Sequence, residues 1–338
     1  MATNDIGGFD EATKFIKGCH RPLLVTHAKP DGDALGSLLG LADILRAQGL
    51  SPTCLLYESL PARYGQVCGG DYAILDANNM AAQLTGFDAV IVLDTCAYGQ
   101  LSPIADWLRA SSLPKLAVDH HVTRDSLADV YLVDESAAAN CLILYEWAVS
   151  QGWAISKATA RSMLVGIATD TGWFHHSNTD SRVFAAVGAL ITCGADCHAL
   201  YAQLYEQDTL ARVRLVGEAL SSLVMYGDDR LAVMTLSAEA FARAGASLAD
   251  TEGIINEPLS IESVIVSLLF VEQADGLTRV SFRSKQPLDE KTVDVDVAAM
   301  AGTFDGGGHR RAAGARLTGK PAEVVDRVVV EAMHAIMG

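Results

Sequence analysis

Short apolar runs punctuate the first half of the chain and alternate with longer stretches of helical period. Leu23–Thr26, Thr53–Tyr57, Ala89–Leu93, Leu116–Val118 and Val130–Val133 are strand-length, with no wet face, and read as buried strands. Ala34–Gln48, stopped by Gly49, together with Ala138–Ser150 and Lys157–Thr169, has helix length. This rhythm predicts an α/β fold, a doubly wound, mostly parallel sheet over residues 1–195. Ser181–Cys193, His198–Glu206 and Thr209–Val224 read as consecutive helices, so 196–228 is expected to form a helical connector with a hinge near Gln207–Gly227. A second pattern starts near Arg230. Leu231–Leu236, Ser263–Val271 and Leu277–Arg283 read as strands, and Ala238–Ala244 and Pro321–Met337 as helices. Asp305 to Gly314 reads as a glycine-rich loop. A smaller α/β domain is therefore expected over 229–338.

Polar residues at the ends of the apolar runs carry the chemistry. His27, Asp31 and Asp33 follow the first strand, Asp94 the third, and Asp119, His120 and His121 the fourth, while Asp170 ends a helix. Ligands of such sheets bind beyond the carboxyl ends of strands, so one crevice can gather these groups. Taken singly, Asp-Gly-Asp is a turn, Asp-Thr a helix cap and His-His a loop. Taken together, they form a donor set for two divalent ions. Asp31, Asp33, Asp94 and Asp170 carry four negative charges against the four positive charges of such a pair. Asp94 suits a bridging role because one carboxylate has two oxygens. Mixed oxygen and imidazole donors favour Mn²⁺, with Co²⁺ or Mg²⁺ behind it and Zn²⁺ least suited. Two such ions acidify a water held between them, which points to phosphate-ester hydrolysis. Gly36 and Ser37 are expected at a helix start, where backbone N–H groups favour anions.

Charge and composition narrow the partners. The 338 residues carry a formal net charge of −16, which excludes long duplex nucleic acid and anionic membranes as general partners. Seven cysteines, an odd number, with no Cys-x-x-Cys metal pair, read as reduced thiols of a cytoplasmic protein; Cys193, Cys197 and the adjacent His198 lack a second ligand pair. No secretory pattern or membrane-length apolar run is evident.

The ordered motifs Val25-Thr-His-Ala-Lys-Pro-Asp-Gly-Asp-Ala-Leu-Gly-Ser37, Val92-Leu-Asp-Thr95, Val118-Asp-His-His121 and Gly166-Ile-Ala-Thr-Asp-Thr-Gly172 resemble the DHH phosphoesterase family. Gly306-Gly-Gly-His309, Ala312-Ala-Gly314 and Val280-Ser-Phe-Arg-Ser284 resemble its associated carboxyl-terminal domain. The closest subgroup looks like the stand-alone bacterial nanoRNases that also act as pAp phosphatases. The resemblance implies one metal on His27, Asp31 and Asp94, and another on Asp33, Asp94, His120 and Asp170. His121 would face the scissile phosphate or steer a proton, with Asp119 orienting the histidines. Arg283, Ser284, Gly306, Gly307, Gly308 and His309 would bind substrate, and closure of the two domains would gate the reaction. Short oligoribonucleotides, linear dinucleotides such as pApA or pGpG, and pAp are the implied substrates, and a homodimer is implied by analogy alone. Cyclic dinucleotides, or a sensor that binds nucleotides without turnover, are the alternatives. Related chains often carry a basic residue near His175, whereas here His175 and His176 follow Trp173 and Phe174, which are expected in the core. Arg310 and Arg311 are expected to be solvated.

Overall fold

The computed structural model describes residues 8–60, 64–65, 70–287 and 293–337. They form two compact units, 1–207 and 208–338. In the first, helix α1 (Phe9–Lys17) precedes β1 (Pro22–Val25), α2 (Gly32–Ala47), β2 (Thr53–Leu56) and β3 (Ala73–Ile74). After α3 (Met80–Gln83) come β4 (Ala89–Leu93), α4 (Ala105–Ala110), β5 (Lys115–Asp119) and β6 (Val130–Val133). Helices α5 (Asn140–Ser150), α6 (Lys157–Asp170), α7 (Ser181–Thr192) and α8 (Cys197–Tyr205) follow. The sheet order is β3-β2-β1-β4-β5-β6, and every pairing is parallel. The chain runs outward from β1 to β3, then returns to lay β4 on the other side of β1. The loops after β1 and β4 thus diverge at a topological switch point, where an open parallel sheet leaves a crevice.

Burial explains the lack of alternation in these strands. Leu24, Ile91, Leu93, Leu116, Val118 and Leu132 join one apolar core with α2, α5 and α6. Leu23, Val25, Val90, Val92 and Ala117 join a second core on the opposite face. Both faces are covered, so the strands read as continuous apolar runs.

Gly36 does not sit at a helix start as an anion-binding position. It lies in the second turn of α2, where a β-carbon would strike the Ser162 carbonyl and lie 2.9 Å from Cys141 Sγ. Ser37 is fully buried and accepts a 2.9 Å hydrogen bond from Asn140 Nδ2. Gly36 and Gly166 let α2 and α6 approach closely, which brings Asp33 toward Asp170.

The second unit contains α9 (Leu210–Ser221), β7 (Val224–Tyr226), β8 (Leu231–Leu236), α10 (Ala238–Ala244), β9 (Val266–Glu272) and β10 (Leu277–Ser284). It ends with α11 (Val297–Gly302), β11 (Gly307–His309), β12 (Ala312–Thr318) and α12 (Pro321–Met337). Its mixed sheet has the order β11-β12-β10-β9-β8-β7. The expected glycine-rich loop is instead a tight antiparallel hairpin, with Gly308 paired to Ala313 and His309 to Ala312. The stretch expected as a connector is divided between the units: Leu200 and Leu204 of α8 pack in the first, and Leu215 and Ala219 of α9 in the second.

Candidate active site

Each donor is set by the end of a regular element. Asp31 caps α2, its Oδ1 accepting from the amides of Asp33 (3.0 Å) and Ala34 (3.1 Å), which leaves Oδ2 without a hydrogen bond among the described residues. Asp33 follows within the first turn and is completely buried. Its Oδ2 accepts from the Asn140 amide at 2.5 Å and its Oδ1 from the Cys141 amide at 2.9 Å. The positive end of α5 thus grips this carboxylate. Asp94 occupies the left-handed backbone region at φ 62°, and its amide donates to the Val118 carbonyl at 2.9 Å. Asp119 ends β5, and its Oδ1 accepts from His121 Nδ1 (2.8 Å) and from the amides of His120 (2.8 Å) and His121 (3.1 Å). His120 Nδ1 faces the Ala137 carbonyl at 3.2 Å, which turns Nε2 into the crevice. Asp170 closes α6, where the negative helix end gives a carboxylate no support.

Three overlapping groups result, His27–Asp31–Asp94, Asp33–His120–Asp170 and Asp94–His120–His121; within each, the donor atoms lie within 4.8 Å of one another. His27 Nε2 is 3.5 Å from Asp94 Oδ2 and 4.0 Å from Asp31 Oδ1. His120 Nε2 is 3.4 Å from both Asp94 Oδ1 and Asp170 Oδ2, and 3.8 Å from Asp33 Oδ2. Asp94 therefore turns one oxygen toward each histidine. Its Oδ1 is buried and accepts no hydrogen bond from any described residue. A buried, unsatisfied carboxylate oxygen flanked by imidazoles and further carboxylates is a donor set that fits divalent cations.

Electrostatics point the same way. Burial, together with the charges of Asp94 and Asp170, pushes Asp33 well above the usual carboxylate range. Burial, then Asp94 and Asp31, raise Asp170 to about 7. Burial also pushes Asp94 upward, but the facing imidazoles of His120 and His27 overcome it and hold this carboxyl below its ordinary value. Burial opposes charge on His120; the Asp94, Asp33 and Asp170 carboxylates outweigh it and lift its pKa to about 10. The hydrogen bond to Asp119 raises His121. Negative charge is concentrated here beyond what the side chains can neutralise comfortably.

Other expectations fare differently. His175 and His176 are exposed and in none of the described donor groups. Trp173 and Phe174 are half-buried and pack against the first unit's core, Trp173 edge-on to Tyr201 at 5.0 Å. The six described cysteines are unpaired, and Cys68 lies outside the described residues. Sequence reasoning missed the hold on Asp33 by the Asn140 and Cys141 amides. The one available signal was a lone asparagine at a predicted helix start.

In the second unit Arg283 is half-buried, and burial lowers its pKa; its Nη1 donates to the Phe282 carbonyl at 3.1 Å. Ser284 is turned to the opposite, buried face, where its hydroxyl donates to the Val295 carbonyl at 2.9 Å. It is thus occupied in packing rather than set beside Arg283. Gly306 is excluded from carrying a side chain by the Gly314 carbonyl and by Ala301 O at 2.8 Å, and Gly308 by Ala312 O at 2.5 Å together with its φ of 149°. Gly307 has open space around it, and His309 is exposed. Arg310 donates to Asp294 at 2.7 Å, and Arg311 is paired with the same carboxylate.

These arrangements define a phosphoesterase class. Residues 22–167 match the DHH family, N-terminal domain, and residues 228–337 match the DHHA1 domain; the chain belongs to the DHH phosphoesterase family. It is 26% identical over 305 residues to the Bacillus subtilis protein named bifunctional oligoribonuclease and PAP phosphatase NrnA, covering 87% of this chain and 88% of that protein. Identity is 28% over 304 residues to the Streptococcus mutans protein named probable bifunctional oligoribonuclease and PAP phosphatase NrnA, covering 89% and 90%. Among solved structures, an exopolyphosphatase-related protein from Bacteroides fragilis superposes with a TM-score of 0.85 at 26% identity, over 97% of this chain and 95% of that one. No single described helix is long and apolar enough to cross a membrane.

Proposed function

We propose that this chain hydrolyses short oligoribonucleotides, including linear dinucleotides, to 5′-mononucleotides and removes the 3′-phosphate from pAp, with Mn²⁺ as its preferred ion. The observation that carries this reading is the gathering of His27, Asp31, Asp33, Asp94, His120 and Asp170 at the switch point of the sheet. The substrates come from the names of its relatives. His27, Asp31 and Asp94 would hold one ion, and Asp33, Asp94, His120 and Asp170 the other. When bound, the ions would supply charge neutralisation and an activated water.

In either reaction a water oxygen bonds to phosphorus, the bond from phosphorus to the 3′-oxygen breaks, and that oxygen takes a proton. His121 is our acid. Its Nδ1 is fixed on Asp119, its side chain is 48% exposed, and the hydrogen bond to Asp119 raises its pKa, which favours the protonated ring an acid needs. Asp119 sets the tautomer and angle of that ring. Arg283 and His309 would grip the far phosphate, with the open backbone at Gly307 allowing close approach.

The test is a Mn²⁺-supplemented panel of pAp, pApA, pGpG, five-unit RNA, cyclic di-AMP and pyrophosphate, with products identified at early times. AMP from pAp and mononucleotides from the linear RNAs support the assignment. Turnover confined to cyclic di-AMP or pyrophosphate, or tight pAp binding without product, overturns it.

A further inference from the structure

The segment from Ala137 to Cys141 is buried throughout and serves several donors at once. Its first carbonyl, on Ala137, faces His120 Nδ1 at 3.2 Å, and its last two amides, on Asn140 and Cys141, hold Asp33. A further tie is made by a side chain from outside the segment. The exposed Asn178 donates from Nδ2 to the Ala138 carbonyl at 3.2 Å and to the Asp170 carbonyl at 3.2 Å. Asp33, His120 and Asp170 make up one of the described donor groups. Every member of that group is thus anchored on the same short stretch of backbone, Asp170 by way of Asn178.

The end of α6 calls for such a tie, because the last four carbonyls of a helix have no partner within it. Those of Ile167, Ala168 and Thr169 accept from the amides of Thr171, Trp173 and Gly172, and that of Asp170 accepts from Asn178. To bring Asn178 back to this point the chain turns sharply. Gly172, Trp173 and Phe174 lie in succession in the left-handed region, at φ 54°, 56° and 69°. For the two aromatic residues that conformation is strained, and it persists only where the surroundings impose it. Here the Trp173 ring stands edge-on to Tyr201, and the Phe174 ring lies 5.7 Å from that of Phe184. The chemistry of the tie also selects the residue. An amide nitrogen carries two protons and can serve two carbonyls, whereas a hydroxyl has one and a carboxylate none.

We propose that Asn178 is a positioning residue, whose side-chain amide fixes the end of α6 against the Ala137–Cys141 backbone so that Asp170 meets Asp33 and His120 around one divalent ion. The inference rests on the proposed function, since it takes those three side chains as donors to a single ion. Asn178 acts through the two carbonyls it holds, and it spares the ion the work of drawing its donors together.

The experiment strips metal by chelation and titrates Mn²⁺ alone into wild type, Asn178→Ala, Asn178→Leu and Ser177→Ala by calorimetry. The leucine keeps most of the bulk of asparagine and loses both donors, and Ser177 is the exposed neighbour in the same turn. Both Asn178 variants weaken one of the two Mn²⁺ binding steps about tenfold, the scale for partners that orient metal ligands, and leave the other within about twofold. The Mn²⁺ concentration for half-maximal pAp turnover rises by the same factor, while kcat at saturating Mn²⁺ and KM for pAp stay near wild type. Ser177→Ala matches wild type throughout. The chelated variants melt within a few degrees of the chelated wild type, which separates a lost tie from a damaged fold. Unchanged Mn²⁺ binding, equal weakening of both steps, or native binding in Asn178→Leu overturns the tie. A wild-type protein that takes up no Mn²⁺ overturns the proposed function instead.

Discussion

Replacing Gly166 with alanine tests how the donor cluster is built, because the change adds a single methyl far from any solvent. A β-carbon at Gly166 would lie 2.5 Å from Asp33 Oδ1 and 2.9 Å from Cys141 Cβ, and closer still to Cys141 Sγ. Asp33 and Cys141 are both completely buried, so neither can swing aside into solvent. Either α6 moves away from α2, or the Asp33 carboxylate leaves the Asn140 and Cys141 amides. Overpacking of this kind costs about 1–3 kcal/mol, and the higher helix propensity of alanine returns roughly 1 kcal/mol. The net destabilisation, about 0–2 kcal/mol, would lower Tm by a few degrees at most. Function should suffer far more, since a misplacement near 1 Å in a reacting constellation costs on the order of 100-fold. The assay is Mn²⁺ titration calorimetry alongside five-unit RNA turnover and thermal melting. Gly188→Ala is the control: this glycine is exposed on α7, with nothing within 4 Å of its added carbon, and the variant should match wild type or melt slightly higher. Native metal binding and turnover in Gly166→Ala would refute the claim that close packing of α2 on α6 sets the position of Asp33.

Asp94→Ala should lower turnover by well over about 100-fold and reduce bound metal, because it removes the carboxylate shared by His27 and His120; partners one layer further out are already worth 10–100-fold. Near-native hydrolysis by the purified variant would sink the shared-ligand assignment. His309→Ala should raise KM several-fold while metal content stays unchanged, and equal metal loss measured by elemental analysis would contradict the division of roles. Metal affinity should climb from about pH 6 and still be rising at pH 8. Without an ion, Asp170 titrates near 7 and His120 near 10, so binding must displace protons from both, and higher pH removes that competition. Calorimetry in buffers of different ionisation enthalpy counts the protons released; pH-independent affinity with no release would refute this.

The donor side chains were legible because each ends an apolar run, and apolar runs of that length have few places to lie except inside a parallel sheet. The order of the strands was not legible: a run of Val and Leu does not say which neighbour it pairs with. What holds the donors was hidden for a different reason. Asp33 is gripped by two backbone amides and His120 faces a backbone carbonyl, groups that every residue possesses. The opening helix Phe9–Lys17 buries Phe9, Ala12, Thr13 and Ile16 at helical spacing, but nine residues are too few for the pattern alone to claim it. The hairpin at Gly307–Thr318 escaped because glycine and alanine have little intrinsic preference for strands. Pairing with β10 supplies there what side-chain propensity does not.

His120 has a consequence beyond its proposed ligation. With a pKa near 10 it carries a proton at neutral pH whenever no ion competes for Nε2, and that proton lies among the oxygens of Asp33, Asp94 and Asp170. The polypeptide thereby brings its own exchangeable counter-charge, so the acidic crevice can assemble during synthesis before any mineral arrives. Chelation should consequently leave a folded, dormant protein that manganese reawakens.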